Sequence, residues 1–314
     1  MPASRTLDVP GAHLRYEVRG DGPLLLLLGA PMPAAPFAPL ADALASDHTV
    51  VTADPRGISG STLDDPEQDS TPDLRADDVA AILDDLGAGS ADVFGSSGGA
   101  VTGLALVTRH PARVGTLIAH EPPLLELLPD VAERRAEVDD IVETFHRAGP
   151  GPAFMKFMDS VGFTRGGEGA PAPPQRQPSE QELADGARFL GHELQATTRY
   201  LPDIAALRAA PARIVVGIGA ASGHLLTYRT SMALAERLGI QPAEFPGDHA
   251  ASSGSRPGSP TWSGRCSRAR RPGGPRTPGS SAWAGSRARR PDGSPPLPSP
   301  TGSRPGRWHA RSPG

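Results

Sequence analysis

The stretch Asp92-Val-Phe-Gly-Ser-Ser-Gly-Gly-Ala-Val101 sets a serine among closely spaced glycines, after a short apolar run and before a small-residue segment. Gly95-x-Ser97-x-Gly99 has the spacing of a nucleophile elbow, a strand-to-helix corner so tight that only glycine keeps side chains apart there. It predicts a strand over 91–94 and a helix over 100–108. It also lifts the Ser97 hydroxyl above the sheet edge and aims the Gly98 N–H where an oxyanion would form. A Gly/Ser turn with no chemistry is the alternative, and the flanking residues favour the elbow.

The rest of the chain up to about residue 250 fits around that corner. Leu7 to Val9 and His13 to Val18 alternate and are bounded by Pro10-Gly11 and Gly20-Asp-Gly22, which predicts an antiparallel hairpin. Leu24 to Leu28 is apolar throughout, as a strand buried on both faces must be. A helix over 37–44, a strand over 48–53, a helix over 74–86, the elbow and a strand over 114–119 follow. Strand and helix therefore alternate as in a doubly wound parallel sheet, with ligands at one edge. The rhythm breaks over 124–205, where helices over 131–145 and 152–161, a Gly/Pro/Ala loop over 166–177 and the capping box Ser179-x-x-Glu182 read as an inserted helical cap. It resumes with a strand at 213–217, a helix at 228–238 and a last strand at 242–245. The expected fold class is α/β: a mostly parallel sheet with helices on both faces, an inserted helical cap and a disordered C-terminal tail.

Composition divides the chain at the same place. Residues 251–314 hold twelve arginines, one acidic residue, no lysine and all three tryptophans, while residues 1–250 carry a formal net charge of −15. The acidic part argues against nucleic acid or an anionic membrane as its partner, and a small-molecule substrate is expected. Nothing early in the chain reads as a signal leader, and Leu24 to Leu28 is too short to span a bilayer. The one cysteine, Cys266, lies in the tail, which rules out an intramolecular disulfide and fits a cytoplasmic protein. The tail has neither apolar period, so its Arg/Pro/Gly/Ser composition cannot pack a core. Its abrupt start predicts an out-of-frame or otherwise abnormal C-terminus; a nucleic-acid-binding arm is the other reading.

A serine nucleophile needs a base and an acid to orient that base. His249, after the last strand and a Pro-Gly turn, is the expected base, with His120 second. The loop after the 213–217 strand, Ile218-Gly-Ala-Ala-Ser-Gly-His224, has no carboxylate. Glu121, at the end of the preceding strand, is therefore the expected acid, with a lid-hinge carboxylate as the other reading; Asp248 is expected to point away from its neighbour. Ala30 is the expected second oxyanion donor because Pro31 has no N–H, with Met32 a possible helper. Asp54 and Arg56 are expected to hold their glycine-rich loop rather than touch substrate. Neither a dinucleotide Gly-x-Gly-x-x-Gly nor a metal-ligand cluster is present, so no cofactor and no metal is expected.

With Leu28-Gly-Ala-Pro31, Asp54-Pro-Arg-Gly-Ile-Ser-Gly-Ser61, Gly95-Ser-Ser-Gly-Gly99 and Phe245-Pro-Gly-Asp-His249, the sequence resembles the α/β-hydrolase superfamily over roughly residues 5–250. The resemblance implies a Ser97 nucleophile, a His249 base, backbone oxyanion donors at Gly98 and Ala30 and a helical cap over about 124–205. Haloalkane dehalogenase-like members that carry their acid after the same strand support Glu121. A serine in place of the aspartate nucleophile of epoxide hydrolases and dehalogenases implies an esterase, lactonase, thioesterase or perhydrolase. Two departures stand out: Leu28 replaces the usual histidine before Gly29, and no helical pattern follows His249. The leading expectation is a carboxylesterase-like serine hydrolase acting through an acyl-enzyme. The alternative is a non-catalytic or disrupted hydrolase-like protein.

Overall fold

The computed structural model describes residues 2–163 and 177–249, all within one compact unit, Met1–Arg271. The tail expected over 251–314, and all but the last residue of the loop expected over 166–177, lie outside the described residues.

The predicted hairpin is β1 (Ala3–Val9) and β2 (Ala12–Arg19), paired antiparallel from Ala3 with Val18 to Val9 with Ala12. Gly11 takes the left-handed turn between them at φ 78°. Next come β3 (Leu24–Leu28), α1 (Ala38–Leu44), β4 (Thr49–Ala53) and the short β5 (Thr62–Leu63). The sequence gives no sign of β5, whose two residues are too few for an alternation to register; it pairs with β2. Helix α2 (Pro72–Asp85) starts earlier than its apolar spacing suggests, because Thr71 caps the Leu74 N–H and Pro72 sits in the first turn. The central segment is β6 (Ala91–Ser96), α3 (Gly98–Arg109) and β7 (Val114–His120).

The helical insertion follows: α4 (Val131–Ala148), α5 (Pro150–Val161), α6 (Glu180–His192) and α7 (Leu194–Thr198). Its residues build a small core of their own from Val138, Ile141, Ala153, Phe189, Leu190 and Leu194. A short helix absent from the sequence reading, α8 (Ile204–Ala209), instead buries Leu207 in the main core. The chain then completes the sheet with β8 (Arg213–Gly219), α9 (Leu226–Leu238) and β9 (Ala243–Phe245).

Strand order is β1-β2-β4-β3-β6-β7-β8-β9. The strands from β4 onward are parallel, and the all-leucine β3 lies between β4 and β6, buried as its composition requires. One face of the sheet packs against α2, α3, α8 and α9 through Ala76, Leu104, Leu207 and Leu234. The other packs against α1 through Phe37, Ala41 and Leu44. The parallel strands end on one edge, beneath the helical insertion, and every predicted site residue lies there.

Candidate active site

The corner between β6 and α3 is as tight as its glycines imply. A Cβ on Gly95 would lie 2.5 Å from the Gly99 carbonyl oxygen, and one on Gly99 would lie 2.1 Å from the Leu28 carbonyl oxygen. Ser97 between them is held at φ 56° and ψ −125°, a conformation costing on the order of 1–3 kcal/mol for a residue with a side chain. Gly99→Ala drives one backbone against another, so it should destabilise the fold by at least about 1–3 kcal/mol. Gly89→Ala, where nothing lies within 4 Å, should leave the melting temperature near that of the wild type. Equal melting temperatures for the two variants would contradict the packing described.

Glu121 follows β7 directly and is buried. Its backbone turns to φ 50°, and its N–H donates to the Gly217 carbonyl at 3.1 Å. The turn tucks the carboxylate against the end of β8, where Oε1 accepts the Gly219 N–H at 2.8 Å and Oε2 accepts the Thr227 hydroxyl at 3.1 Å. His249 Nδ1 lies 2.6 Å from the same Oε2. Burial pushes the carboxyl pKa up, but the His249 hydrogen bond and the charges of His249 and His120 outweigh it and hold the group at about 2. An imidazole whose Nδ1–H is committed to this carboxylate keeps Nε2 unprotonated and able to accept a proton.

His120 plays no such part. It is fully buried, its ring between those of Phe94 at 6.0 Å and Phe245 at 5.8 Å and stacked at 6.3 Å on His249. Burial pushes its pKa down to about 4, against a smaller upward pull from Glu121. Its expected place as second-choice base is therefore corrected: the alternation of β7 turns the ring into the sheet packing. Both shifts affect acid stability. An unfolded histidine gains a proton near pH 6.5 that native His120 refuses until about 4. Stability present above pH 6.5 is thus lost as pH falls toward 4, by about 3 kcal/mol. The depressed Glu121 stabilises above about 4.5, and that contribution disappears as pH falls through about 2. Urea unfolding of His120→Asn across pH 7 to 4 should show a flatter dependence than the wild type. An unchanged slope would contradict the burial assigned to this ring.

The loops behind the site are braced as expected. Asp54 accepts the Ala34 N–H at 2.8 Å and the Gly60 N–H at 3.1 Å, and pairs with Arg15 at 3.2 Å. It ties the loop after β3 to the loop after β4. Arg56 is buried and grips Asp78 through two bonds of 2.7 and 2.6 Å. Ala30 is pressed against the helix start, since a Cβ on Gly98 would lie 2.4 Å from the Ala30 carbonyl oxygen. Asp248 is exposed and does not line the chamber described next.

Ala30, Met32, Ser97, Gly98, Thr227 and His249 all line one chamber of about 450 Å³ between the sheet edge and the helical insertion. Glu121 lies one step behind it. Ser97 is half-buried, and among the described residues its hydroxyl makes no side-chain hydrogen bond, so it opens onto the space His249 also faces. Phe163 stands over the imidazole at 5.8 Å. No group of three or more His, Cys, Asp or Glu placed to hold a metal exists among the described residues. No helix among them is long and apolar enough to cross a membrane.

Comparison with known proteins agrees with this architecture. A family model described as the alpha/beta hydrolase fold matches residues 22–155. Uncharacterized hydrolase YraK of Bacillus subtilis (strain 168) is 36% identical over 251 residues, which cover 78% of this chain and 88% of that protein. The chain belongs to the α/β-hydrolase superfamily. Among solved structures, this α/β-hydrolase is similar to an alpha/beta hydrolase from Sphaerobacter thermophilus DSM 20745, with a TM-score of 0.55 and 26% identity over 77% of this chain and 91% of that one. It also shares its fold with a thermophilic esterase from Thermogutta terrifontis, with a TM-score of 0.61 and 20% identity over 81% of this chain and 93% of that one.

Of the predicted residues of this α/β-hydrolase, His249 and Glu121 are brought into direct contact, and Ser97, Gly98 and Ala30 share the chamber. Sequence reasoning missed Thr227 and the Gly219 N–H, which position the carboxylate, and Phe163, which covers the imidazole. A helix-start threonine and a strand-end glycine carry no signal by themselves.

Proposed function

We propose that this α/β-hydrolase cleaves small or medium uncharged carboxylic esters through an acyl-enzyme. Ser97 is the nucleophile, His249 the general base and acid, and Glu121 the orienting carboxylate; the Gly98 and Ala30 N–H groups hold the oxyanion. The observation carrying this reading is the Glu121–His249 pair at 2.6 Å, whose imidazole faces the same chamber as the strained Ser97. Thr227 and the Gly219 N–H fix the carboxylate, and it fixes the ring.

His249 Nε2 takes the Ser97 proton as Oγ bonds to the ester carbonyl carbon, whose oxygen becomes the oxyanion. The start of α3 contributes the positive end of its dipole as well as the Gly98 N–H. Collapse breaks the carbon–oxygen bond to the alcohol, which leaves with the proton from His249. Water, deprotonated by His249, then attacks the acyl carbon, and Ser97 recovers its proton as the acid departs. The esterase named among the structural neighbours is consistent with this chemistry. A chamber of predominantly apolar lining in an acidic body favours uncharged substrates.

A non-catalytic hydrolase-like protein is the second reading, favoured by the Ser97 hydroxyl making no hydrogen bond to His249 or to another side chain among the described residues. Methanol partitioning separates the two. Initial-rate hydrolysis of phenyl butyrate and p-nitrophenyl butyrate in dilute methanol should give one common ratio of methyl butyrate to butyrate, set by the shared acyl-enzyme. A ratio that follows the leaving group, or no turnover by the folded protein, would contradict the proposal.

A further inference from the structure

Among the described residues, the chamber's polar side chains other than Ser97 each hold at least one contact within the protein. On α4, Arg134 pairs with Asp130, Glu133 and Glu137 at 3.1, 2.6 and 2.6 Å, which also engages Glu137. On α6, Asp185 accepts the Ser59 N–H at 2.9 Å and Glu182 accepts the Ser179 N–H at 2.7 Å. The hydroxyls behave alike. Ser160 donates to the Phe157 carbonyl at 2.8 Å and Thr198 to the Leu194 carbonyl at 2.7 Å. Thr197 accepts from Arg75 at 2.8 Å, and Ser96 lies 3.4 Å from His120 Nδ1. Thr227 serves Glu121, and His249 is engaged at Nδ1. Among the described lining residues, the Ser97 hydroxyl and the far side of His249 are the polar groups not held in such a contact.

The opposite wall is aromatic. Phe154, Phe157 and Phe189 form a continuous strip on α5 and α6, with ring centroids 6.1 Å apart for the first pair and 5.1 Å for the second, the latter edge to face. All three line the chamber, as does Phe163 beside His249. A ligand there finds hydrogen bonds at its ester group and ring faces or edges elsewhere. A polar substituent would lose its water to side chains already bonded within the protein, whereas an aryl ring gains the offset or edge contacts that aromatic pairs prefer.

We propose that this chamber selects esters with hydrocarbon flanks that carry an aryl ring against the Phe154–Phe157–Phe189 strip. The inference rests on the esterase reading above. Its test uses the full chain and alkyl esters without an activated aryl leaving group, followed by acid release in a pH-stat. Two pairs place the ring on either side of the ester: ethyl 3-phenylpropanoate against ethyl hexanoate, and phenethyl acetate against hexyl acetate.

In at least one pair the ring-bearing ester should have the higher kcat/KM, by about two- to tenfold. Adding a para-carboxylate to that ring should lower kcat/KM at least about a hundredfold. Phe157→Leu or Phe189→Leu keeps the wall apolar but removes a ring, so either folded variant should bring the aryl-to-alkyl ratio close to one. Turnover with ratios near one in the wild type, or a ratio preserved in both variants, would overturn the aryl selectivity and leave the esterase reading standing. Tolerance of the carboxylate would overturn the claim that the flanks must be hydrocarbon. No turnover of any ester by folded protein would overturn both readings.

Discussion

Ser97→Ala should lower kcat for ester hydrolysis by on the order of 10⁶-fold, because a triad stripped of its nucleophile retains only binding and oxyanion stabilisation. The substitution removes one oxygen from a half-buried position and leaves the elbow glycines untouched, so the melting temperature should stay close to that of the wild type. Ser97→Gly should be equally inactive yet more stable, since glycine occupies φ 56° without the penalty a side chain incurs there. Loss of activity together with a gain in stability would mark the corner as strained for chemistry. Substantial turnover by Ser97→Ala would remove the nucleophile from the account.

Glu121→Gln should cost on the order of 10⁴-fold in kcat with a much smaller change in KM, the pattern expected when the imidazole is held in the wrong tautomer. The amide can still accept the Gly219 N–H at the position of Oε1. At the position of Oε2, however, an NH₂ group replaces the acceptor that His249 Nδ1 faces at 2.6 Å. The ring then presents Nδ1 as an acceptor and carries its proton on Nε2, where it cannot take one from serine. The variant should also lose the acid-stability contribution that disappears as pH falls from about 4.5 through 2 in the wild type. Wild-type kcat in a folded Glu121→Gln protein would reduce the carboxylate to a structural group at the end of β8.

Much of this organisation is legible in the residues because it follows from local rules. Glycine spacing gives the β6–α3 corner, and the uninterrupted leucines give a strand buried on both faces. The absence of a carboxylate after β8 makes Glu121 the expected acid at the sheet edge. What stays hidden depends on contacts between distant residues. Glu121 reaches Gly219 and Thr227 across about a hundred positions only because its backbone turns to φ 50°, and no residue type signals that turn. His120 and Glu121 are adjacent, yet one packs between phenylalanines while the other supports the imidazole. The register of β7 sets the direction of His120, its last residue, and the turn at φ 50° sets that of Glu121. The brace from Asp54 to Ala34 is hidden for the same reason, since its two ends meet only when β3 and β4 lie side by side.

Active-site labelling of the full chain with a fluorophosphonate, followed by peptide mass mapping, shows directly whether Ser97 is the nucleophile. The account predicts one phosphonyl group per chain, located on Ser97, with labelling slowed by Glu121→Gln and abolished by Ser97→Ala. A folded protein that remains unlabelled, or that carries the adduct on another residue, would contradict it.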